Sequence, residues 1–319
     1  MSPQIEGWLQ RRWYGGVKPG VGVRLIAAAY GLAVRSRARR PAALLSVPVL
    51  VIGNFTVGGT GKTPLVIAIA KTMAALGYQP GIISRGYGRK TTRPLHIDAD
   101  TTVDDCGDEP KLIFERTGLP VFVDADRVAA AERAIAAGCD LVIADDGLQH
   151  RRLHRDVEIE VVDGDRGYGN GLLLPAGPLR ELPRHCDLRV VNGEGSTKPG
   201  DWTMRLVLGD AVSLEDPAQR RPLASFVGQH VQAVAGIGNP ERFFKALAQA
   251  GLTVAPHPFP DHHAFRRADF PDGTDAVLMT EKDAVKCRGL GLANAWMIPV
   301  EAELPAEFFP TLLSRLRKP

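Results

Sequence analysis

Residues 48–63 read PVLVIGNFTVGGTGKT, from Pro48 to Thr63. An apolar run of strand type leads into a glycine-rich loop that closes on Gly61-Lys62-Thr63. Beyond it Leu65, Ile69, Met73 and Leu76 recur at helical spacing, which predicts a helix directly after the loop. Strand, loop and helix in that order are what a nucleotide phosphate site requires. Glycines let backbone N–H groups turn inward around phosphate oxygens, Lys62 reaches the β- and γ-phosphates, and the Thr63 hydroxyl meets a magnesium ion at the positive end of the helix. Thr56, Gly58, Gly59, Thr60, Gly61, Lys62 and Thr63 are therefore the predicted nucleotide-binding residues. Thr56 stands where the strict G-x-x-x-x-G-K-[ST] pattern has its first glycine, so Gly58 and Gly59 must supply the flexibility. An ordinary strand-to-helix turn would want glycine but not the Lys-Thr pair.

Working outward, strand and helix patterns alternate. Gly81–Ser84 reads as the end of a strand, Lys111–Glu115 as part of a helix, Pro120–Val123 as a strand, Arg127–Ala137 as a helix, and Leu141–Ala144 and Glu158–Val162 as strands. This rhythm predicts an α/β fold: a P-loop nucleotide-binding core with a mostly parallel sheet flanked by helices, its ligands at the carboxyl ends of the strands. The Gly/Pro-rich stretch Gly164–Pro178 suits an active-site loop. NGEGSTKPGD, Asn192–Asp201, has the composition of a connection or hairpin. From Val231 the rhythm resumes, with strands at Ala233–Ile237 and Ala276–Met279 and helices at Pro240–Ala250 and Pro305–Arg317. The expected partition is a basic amphipathic front end over 1–46, the core over 47–191, a connecting segment over 192–230, and a smaller C-terminal α/β subdomain over 231–319.

A chain of 319 residues accommodates two domains, and 45% hydrophobic with 24% charged residues is the composition of a folded globular protein. The net charge of +3 hides an asymmetry. Up to Ser46 there are eight basic residues against Glu6 alone, a balance of +7, leaving 31 basic and 35 acidic residues, a balance of −4, for the rest. Ile5, Trp8, Leu9 and Trp13 fall on one helical face beside Arg11 and Arg12. Leu25, Ile26, Ala29, Leu32 and Ala33 lie between Arg24 and the Arg35–Arg40 cluster. Apolar faces beside arginines suit an anionic membrane surface. The longest early apolar stretch, Leu25–Val34, has ten residues, about half of the roughly 20 a spanning helix needs. No signal-peptide pattern opens the chain. Four scattered cysteines without CxxC spacing predict neither a zinc site nor a disulfide framework, and a reducing compartment fits them.

Further constellations carry chemistry. The strand Leu141–Ala144 ends in Asp145-Asp146, the carboxylate partner a phosphate loop needs on the magnesium side. Gly107-Asp108-Glu109-Pro110 sits at a helix start, where the same residues also serve as a cap. In Pro260-Asp261-His262-His263, a histidine beside carboxylates can help take a proton from a hydroxyl. The arginines of Ser84–Arg89 can clamp an anion at the sheet edge.

These motifs taken together resemble the tetraacyldisaccharide 4′-kinase family, the lipid A 4′-kinases of Gram-negative bacteria. The resemblance rests on TVGGTGKTP (56–64), SRGYGR (84–89), GDEP (107–110), DDGLQHR (145–151), GNGLLLPAGPLRE (169–181), PDHH (260–263) and TEKDAVK (280–286), in order over most of the chain. It implies transfer of the ATP γ-phosphoryl group to the 4′-hydroxyl of a tetraacylated glucosamine disaccharide 1-phosphate, giving lipid IVA at the cytoplasmic face of the inner membrane. The implied cofactors are ATP and Mg²⁺, and the implied partners are the glycolipid and the membrane surface, with neither nucleic acid nor an obligate protein partner. Onto this chain it carries Lys62 as catalytic, Thr63, Asp145 or Asp146, and Glu181 on the magnesium side, and Asp108 paired with His262 as base for the sugar hydroxyl. Arg85 and Arg127 become contacts to substrate or nucleotide phosphates. Because His262 lies in the second domain, the pairing implies that two domains close over the substrates. Three rivals fit less well. A membrane-docked ATPase switch would have lysine where Val57 stands, a GTPase metallochaperone would need metal clusters and a guanine-reading motif, and a nucleic-acid binder leaves the phosphate loop unexplained.

Overall fold

The apolar strand runs sort into two sheets by their hydrogen bonding. The computed structural model describes residues 9, 11–37, 42–195, 197–270 and 273–316. After helix α1 (Val21–Arg37), β1 (Val49–Gly53) runs into the glycine loop and then helix α2 (Lys62–Ala75). There follow β2 (Pro80–Ser84), β3 (Leu95–His96), α3 (Val103–Cys106), α4 (Asp108–Thr117), β4 (Val121–Val123), α5 (Arg127–Ala136) and β5 (Leu141–Asp145). Then come β6 (Val157–Asp163), β7 (Leu188–Asn192) and β8 (Asp201–Leu208). The second sheet takes β9 (Ala211–Ser213), β10 (Arg220–Arg221), β11 (Val231–Ala235), β12 (Val254–Pro258), β13 (Ala276–Thr280) and β14 (Ala295–Ile298), with helix α6 (Pro240–Gln249) before β12 and α7 (Glu281–Cys287) before β14. Finally β15 (Val300–Glu303) and α8 (Phe308–Arg315) close the chain.

The large sheet has the order β15-β8-β7-β6-β1-β5-β2-β4-β3, parallel except for the edge pairs β15–β8 and β3–β4. Its central strands are buried on both faces, and their sequences are accordingly apolar throughout rather than alternating. Helix α2 lies on one face. Its Leu65, Val66, Ile67, Ile69, Ala70 and Met73 are buried, each fully buried Leu, Ile or Met contributing about 1.5–3 kcal/mol. Leu76 is 53% exposed, because the helix stops at Ala75 and Gly77 turns away with φ +94°.

The partition differs from the one the sequence predicts. Within 192–230, β8 extends the large sheet whereas β9 and β10 belong to the six-stranded sheet. The last segment returns to the first domain: β15 pairs with β8, and Phe308 packs edge-on against Trp202 at 5.5 Å. Sheet membership is set by pairing partners far away in the chain, and local composition carries no trace of it. Among the described residues no helix is long and apolar enough to cross a membrane.

Candidate active site

The carboxyl ends of strands from both sheets open onto one cavity of about 1650 Å³. From the first domain it is lined by the glycine loop, Ser84 and Arg85 after β2, Asp145 and Asp146 at the end of β5, and Asn192 at the end of β7. From the second it takes Ile237–Asn239 after β11, Pro260–His262 after β12 and Thr280–Lys282 after β13. Single small-ligand sites occupy about 300–1,000 Å³, so this volume has room for two substrates.

Every residue from Thr56 to Thr63 lines the cavity. The loop is held at three points. Its start is pinned to the Gly/Pro-rich segment, where Val57 N donates to Pro178 O at 2.9 Å. Its middle lies against the second domain so closely that a Cβ on Gly238 would sit 2.5 Å from Gly59 N. Its end turns at Gly61, φ +90°, where a Cβ would meet Asn192 Nδ2 at 2.4 Å, while that amide donates to Thr60 O at 3.0 Å. Glycine is required at position 61 both by the backbone and by the neighbour. Lys62 Nζ donates to Asn54 Oδ1 at 3.1 Å and lies 3.6 Å from Asp146 Oδ1.

The two adjacent aspartates have different surroundings. Asp146 takes a bidentate pair from Arg180, at 2.8 and 2.7 Å. Burial alone would raise its carboxyl, but Lys62 and Arg180 outweigh that and hold it well below the usual carboxylate range. Asp145 accepts from Ser84 Oγ at 3.2 Å through one oxygen, and its other oxygen, Oδ1, is buried without a partner. Burial, then the negative charges of Glu109 and Asp146, push its carboxyl above the usual range. Glu181, 5% exposed, is held by Arg151 at 2.9 Å. Arg85 is exposed at the cavity wall. Arg127 also lines the cavity but is only 4% exposed, and its guanidinium donates to the carbonyls of Asp124 and Asp145 at 3.2 and 3.4 Å.

Across the cleft the structure brings together two residues 154 positions apart. His262 Nδ1 lies 3.1 and 2.9 Å from the two carboxylate oxygens of Asp108. His262 lines the cavity with the Tyr87 ring tilted against it at 4.9 Å, and Asp108, 3% exposed, backs it. Burial opposes charge on both members. The hydrogen bond between them wins, so Asp108 is lowered and His262 raised from their ordinary values. Both Asp146 (φ +52°) and His262 (φ +60°) adopt the left-handed backbone region, which Asp and His tolerate better than most residues. Such conformations concentrate at functional sites.

The second predicted amphipathic segment forms α1 as expected. Ala27 and Gly31 are buried against the core domain, with Tyr30 Oη donating to Arg180 O at 2.9 Å. Leu25, Ile26, Ala29, Leu32 and Ala33 are all exposed. The first segment is another matter. Trp13 is 7% exposed and its indole donates to Pro175 O at 3.1 Å, so it serves the protein's own packing rather than an outer surface. Ile5, Trp8, Arg39 and Arg40 lie outside the described residues. Sequence reasoning missed Asn54, Asn192, Gly238 and Lys282 as site residues. Position was a signal for all four, since each stands at or just beyond the carboxyl end of a strand, and Lys282 also lies in TEKDAVK, one of the motifs behind the family resemblance.

A phosphate loop after β1, aspartates at the end of the adjacent β5 and an acid–imidazole pair facing them define a P-loop phosphotransferase of α/β type. The chain belongs to the tetraacyldisaccharide-1-P 4′-kinase family, whose pattern matches residues 21–317. It is 50% identical to a tetraacyldisaccharide 4′-kinase of Xanthomonas euvesicatoria, over 96% of this chain and 95% of that one. Another from Xylella fastidiosa matches at the same identity and the same coverage of both chains. The fold resembles that of LpxK from Aquifex aeolicus, solved in complex with ATP, with a TM-score of 0.75 and 28% identity over 92% of this chain and 97% of that one.

Proposed function

We propose that the cleft transfers the γ-phosphoryl group of ATP to the 4′-hydroxyl of a tetraacylated glucosamine disaccharide 1-phosphate, giving lipid IVA, with the enzyme resting on the cytoplasmic face of the inner membrane. The observation that carries this reading is that Lys62 and the Asp108–His262 pair, one group for the donor and one for the acceptor, face a single cavity. The hydroxyl oxygen attacks the γ-phosphorus, the bond from that phosphorus to the β–γ bridging oxygen breaks, and ADP leaves with the electron pair. The hydroxyl proton passes to the Asp108–His262 pair. Loop amides and Lys62 neutralise the charge that builds on the phosphates, which is most of what such a transfer needs. Arg85, exposed at the wall, is placed to meet a substrate phosphate. Arg127, committed to the Asp124 and Asp145 carbonyls, acts on that end through its charge.

Magnesium fits at Asp145. Its buried, unpartnered Oδ1 is a hard oxygen donor, with Thr63 and Glu181 as further oxygens lining the same cavity. Asp146 is already paired with Arg180 and Lys62, so it orients those cations instead. Among the described residues no three His, Cys, Asp or Glu side chains group to hold a metal. Magnesium does not need such a group, because it is held by one or two carboxylates together with substrate phosphates. When bound, the ion would neutralise charge on the phosphates.

Helix α1 supports the membrane contact. Residues 21, 25, 28, 29 and 32 share one helical face, and Val21 (75%), Leu25 (67%) and Leu32 (68%) on it are largely exposed, with Ile26 (59%) beside them and Arg24 and Arg35 at the edge. Tyr30 and Val34 on the opposite side line the cavity, so a bilayer covering the outer face would sit beside the cleft. A glycolipid substrate would then reach the site without leaving the membrane. The test is an assay with ATP, magnesium and the lipid disaccharide 1-phosphate in detergent, following phosphate on the 4′ position. Asp108→Ala and His262→Ala should lose most of kcat, and unaltered turnover in both variants would remove the base assignment.

A further inference from the structure

Helix α7 is anchored at its start from two sides. Thr280 caps it by accepting from Asp283 N, Asp283 in turn accepts from Gly236 N at 2.8 Å, and Glu281 pairs with Arg116 of the first domain while accepting from Val300 N at 3.0 Å. The side chain between these anchors, Lys282, is thereby directed into the cleft, where it is 14% exposed. Its Nζ lies 2.9 Å from Glu109 Oε1, 3.0 Å from Asp261 Oδ1 and 4.0 Å from Asp108 Oδ2. Glu109 follows Asp108 on α4, and Asp261 precedes His262 in the turn after β12. One ammonium therefore holds the immediate neighbour of each member of the pair.

We propose that Lys282 is a positioning residue for phosphoryl transfer: carried by the second domain, it ties the Asp108–Glu109 turn of the first domain to the Asp261–His262 turn and so sets His262 on the Asp108 carboxylate. This rests on the reading of Asp108 and His262 as the base. Two physical effects support it. The link is geometric, since the ion pairs span the domain boundary at the reacting end of the cleft. It is also electrostatic, since Asp108, Glu109 and Asp261 would otherwise crowd negative charge beside Asp145 and the incoming triphosphate. The groups facing His262 are Asp108 and Asp261, which favour its charged form, and Lys282, which disfavours it, with the Tyr87 ring tilted against the imidazole. Lys286, one turn further along α7, lies 3.9 Å from Asp108 Oδ2 and acts on that carboxylate.

The experiment is a pH profile of kcat for the full chain with ATP, magnesium and the glycolipid, on Lys282→Met, Lys282→Arg and Asp261→Asn. Lys282→Met should lower kcat roughly 10-fold or more while the KM for ATP changes less. Loss of the positive charge raises the proton affinity of Asp108 and His262, so the rising limb should move to higher pH, and Lys282→Arg should return it. Asp261→Asn should also lower kcat but move the limb to lower pH, because a charge that favours imidazolium is gone. General loosening cannot move the limb in opposite directions. If Lys282→Met folds poorly, the opposite displacement in Asp261→Asn and the recovery in Lys282→Arg still decide the matter. A limb that stays at the wild-type position in all three variants, or unchanged kcat in Lys282→Met, overturns the proposal. Asp108→Asn and His262→Gln belong in the same series: full activity in those two defeats the base reading itself, whereas loss there with a stationary limb in the Lys282 and Asp261 variants defeats only the role of Lys282.

Discussion

The two ends of the cleft are built in opposite ways. The proposed phosphate end is local in sequence: Thr56 through Thr63 are consecutive between β1 and α2, and Pro178, Asn192 and Gly238 brace the loop from outside. The hydroxyl end is assembled from Asp108, His262 and Lys282, which belong to different sheets and meet only because the carboxyl edges of both sheets open on the same cavity. A local motif keeps its geometry as long as its own turn is intact, whereas an assembled one depends on how two domains are held. Arg116, which pairs with Glu281, and Arg242, which pairs with Asp163 at 2.7 Å, are among the ties that hold them.

Breaking the local end should have the larger effect. Lys62→Ala removes the cation proposed to meet the transferring phosphate, and kcat should fall roughly 10³-fold, measured by phosphate transfer at saturating ATP. Breaking the assembled end should cost about 10²-fold in kcat for His262→Gln, with ATP binding retained in a direct titration. That end should also carry the pH dependence. The raised His262 must be neutral for the pair to accept a proton, so wild-type kcat should climb with pH through a limb above the ordinary imidazole value of 6.5. Asp108→Asn removes the hydrogen bond that raises His262, so the limb of its residual activity should lie lower. The same shift has a stability counterpart: the contribution of the His262–Asp108 contact is full below the unfolded imidazole pKa and is lost as the pH rises through the folded one.

A third perturbation leaves both ends intact. Placing glutamate at Leu25 and Leu32 should weaken binding to anionic vesicles roughly 10-fold or more in a sedimentation assay, since each side chain offers about 1.5–3 kcal/mol of apolar burial. Turnover in detergent should change little by comparison. A last perturbation, Gly61→Ala, is read as stability. It forces a left-handed backbone onto alanine and crowds Asn192, lowering stability by about 1–3 kcal/mol in a denaturant melt.

The same contrast explains what was legible in the sequence. The glycine loop, the strand ending in Asp145-Asp146 and the exposed apolar face of α1 follow from patterns a few residues long, and each element forms where its spacing predicts. The pairing of Asp108 with His262 came from resemblance to a family, and no period or spacing points to it. Trp13 reads as a surface anchor from its helical neighbours, but its indole is satisfied by Pro175 O, a carbonyl 162 positions away. The return of β15 and α8 to the large sheet was equally invisible, because Ala302 and Phe308 are apolar in the same way whichever core receives them.

By itself the sequence determined that a glycine-rich loop ending in Lys62-Thr63 joins strand to helix, because backbone sterics and glycine content act between near neighbours. Only the tertiary structure decided that Asp145 rather than Asp146 has a free oxygen, and that Lys282 stands between Asp108, Glu109 and Asp261. Those outcomes depend on which distant charges arrive, and the energy of a charge in a buried cleft is set by its few nearest neighbours in space, whatever their distance along the chain.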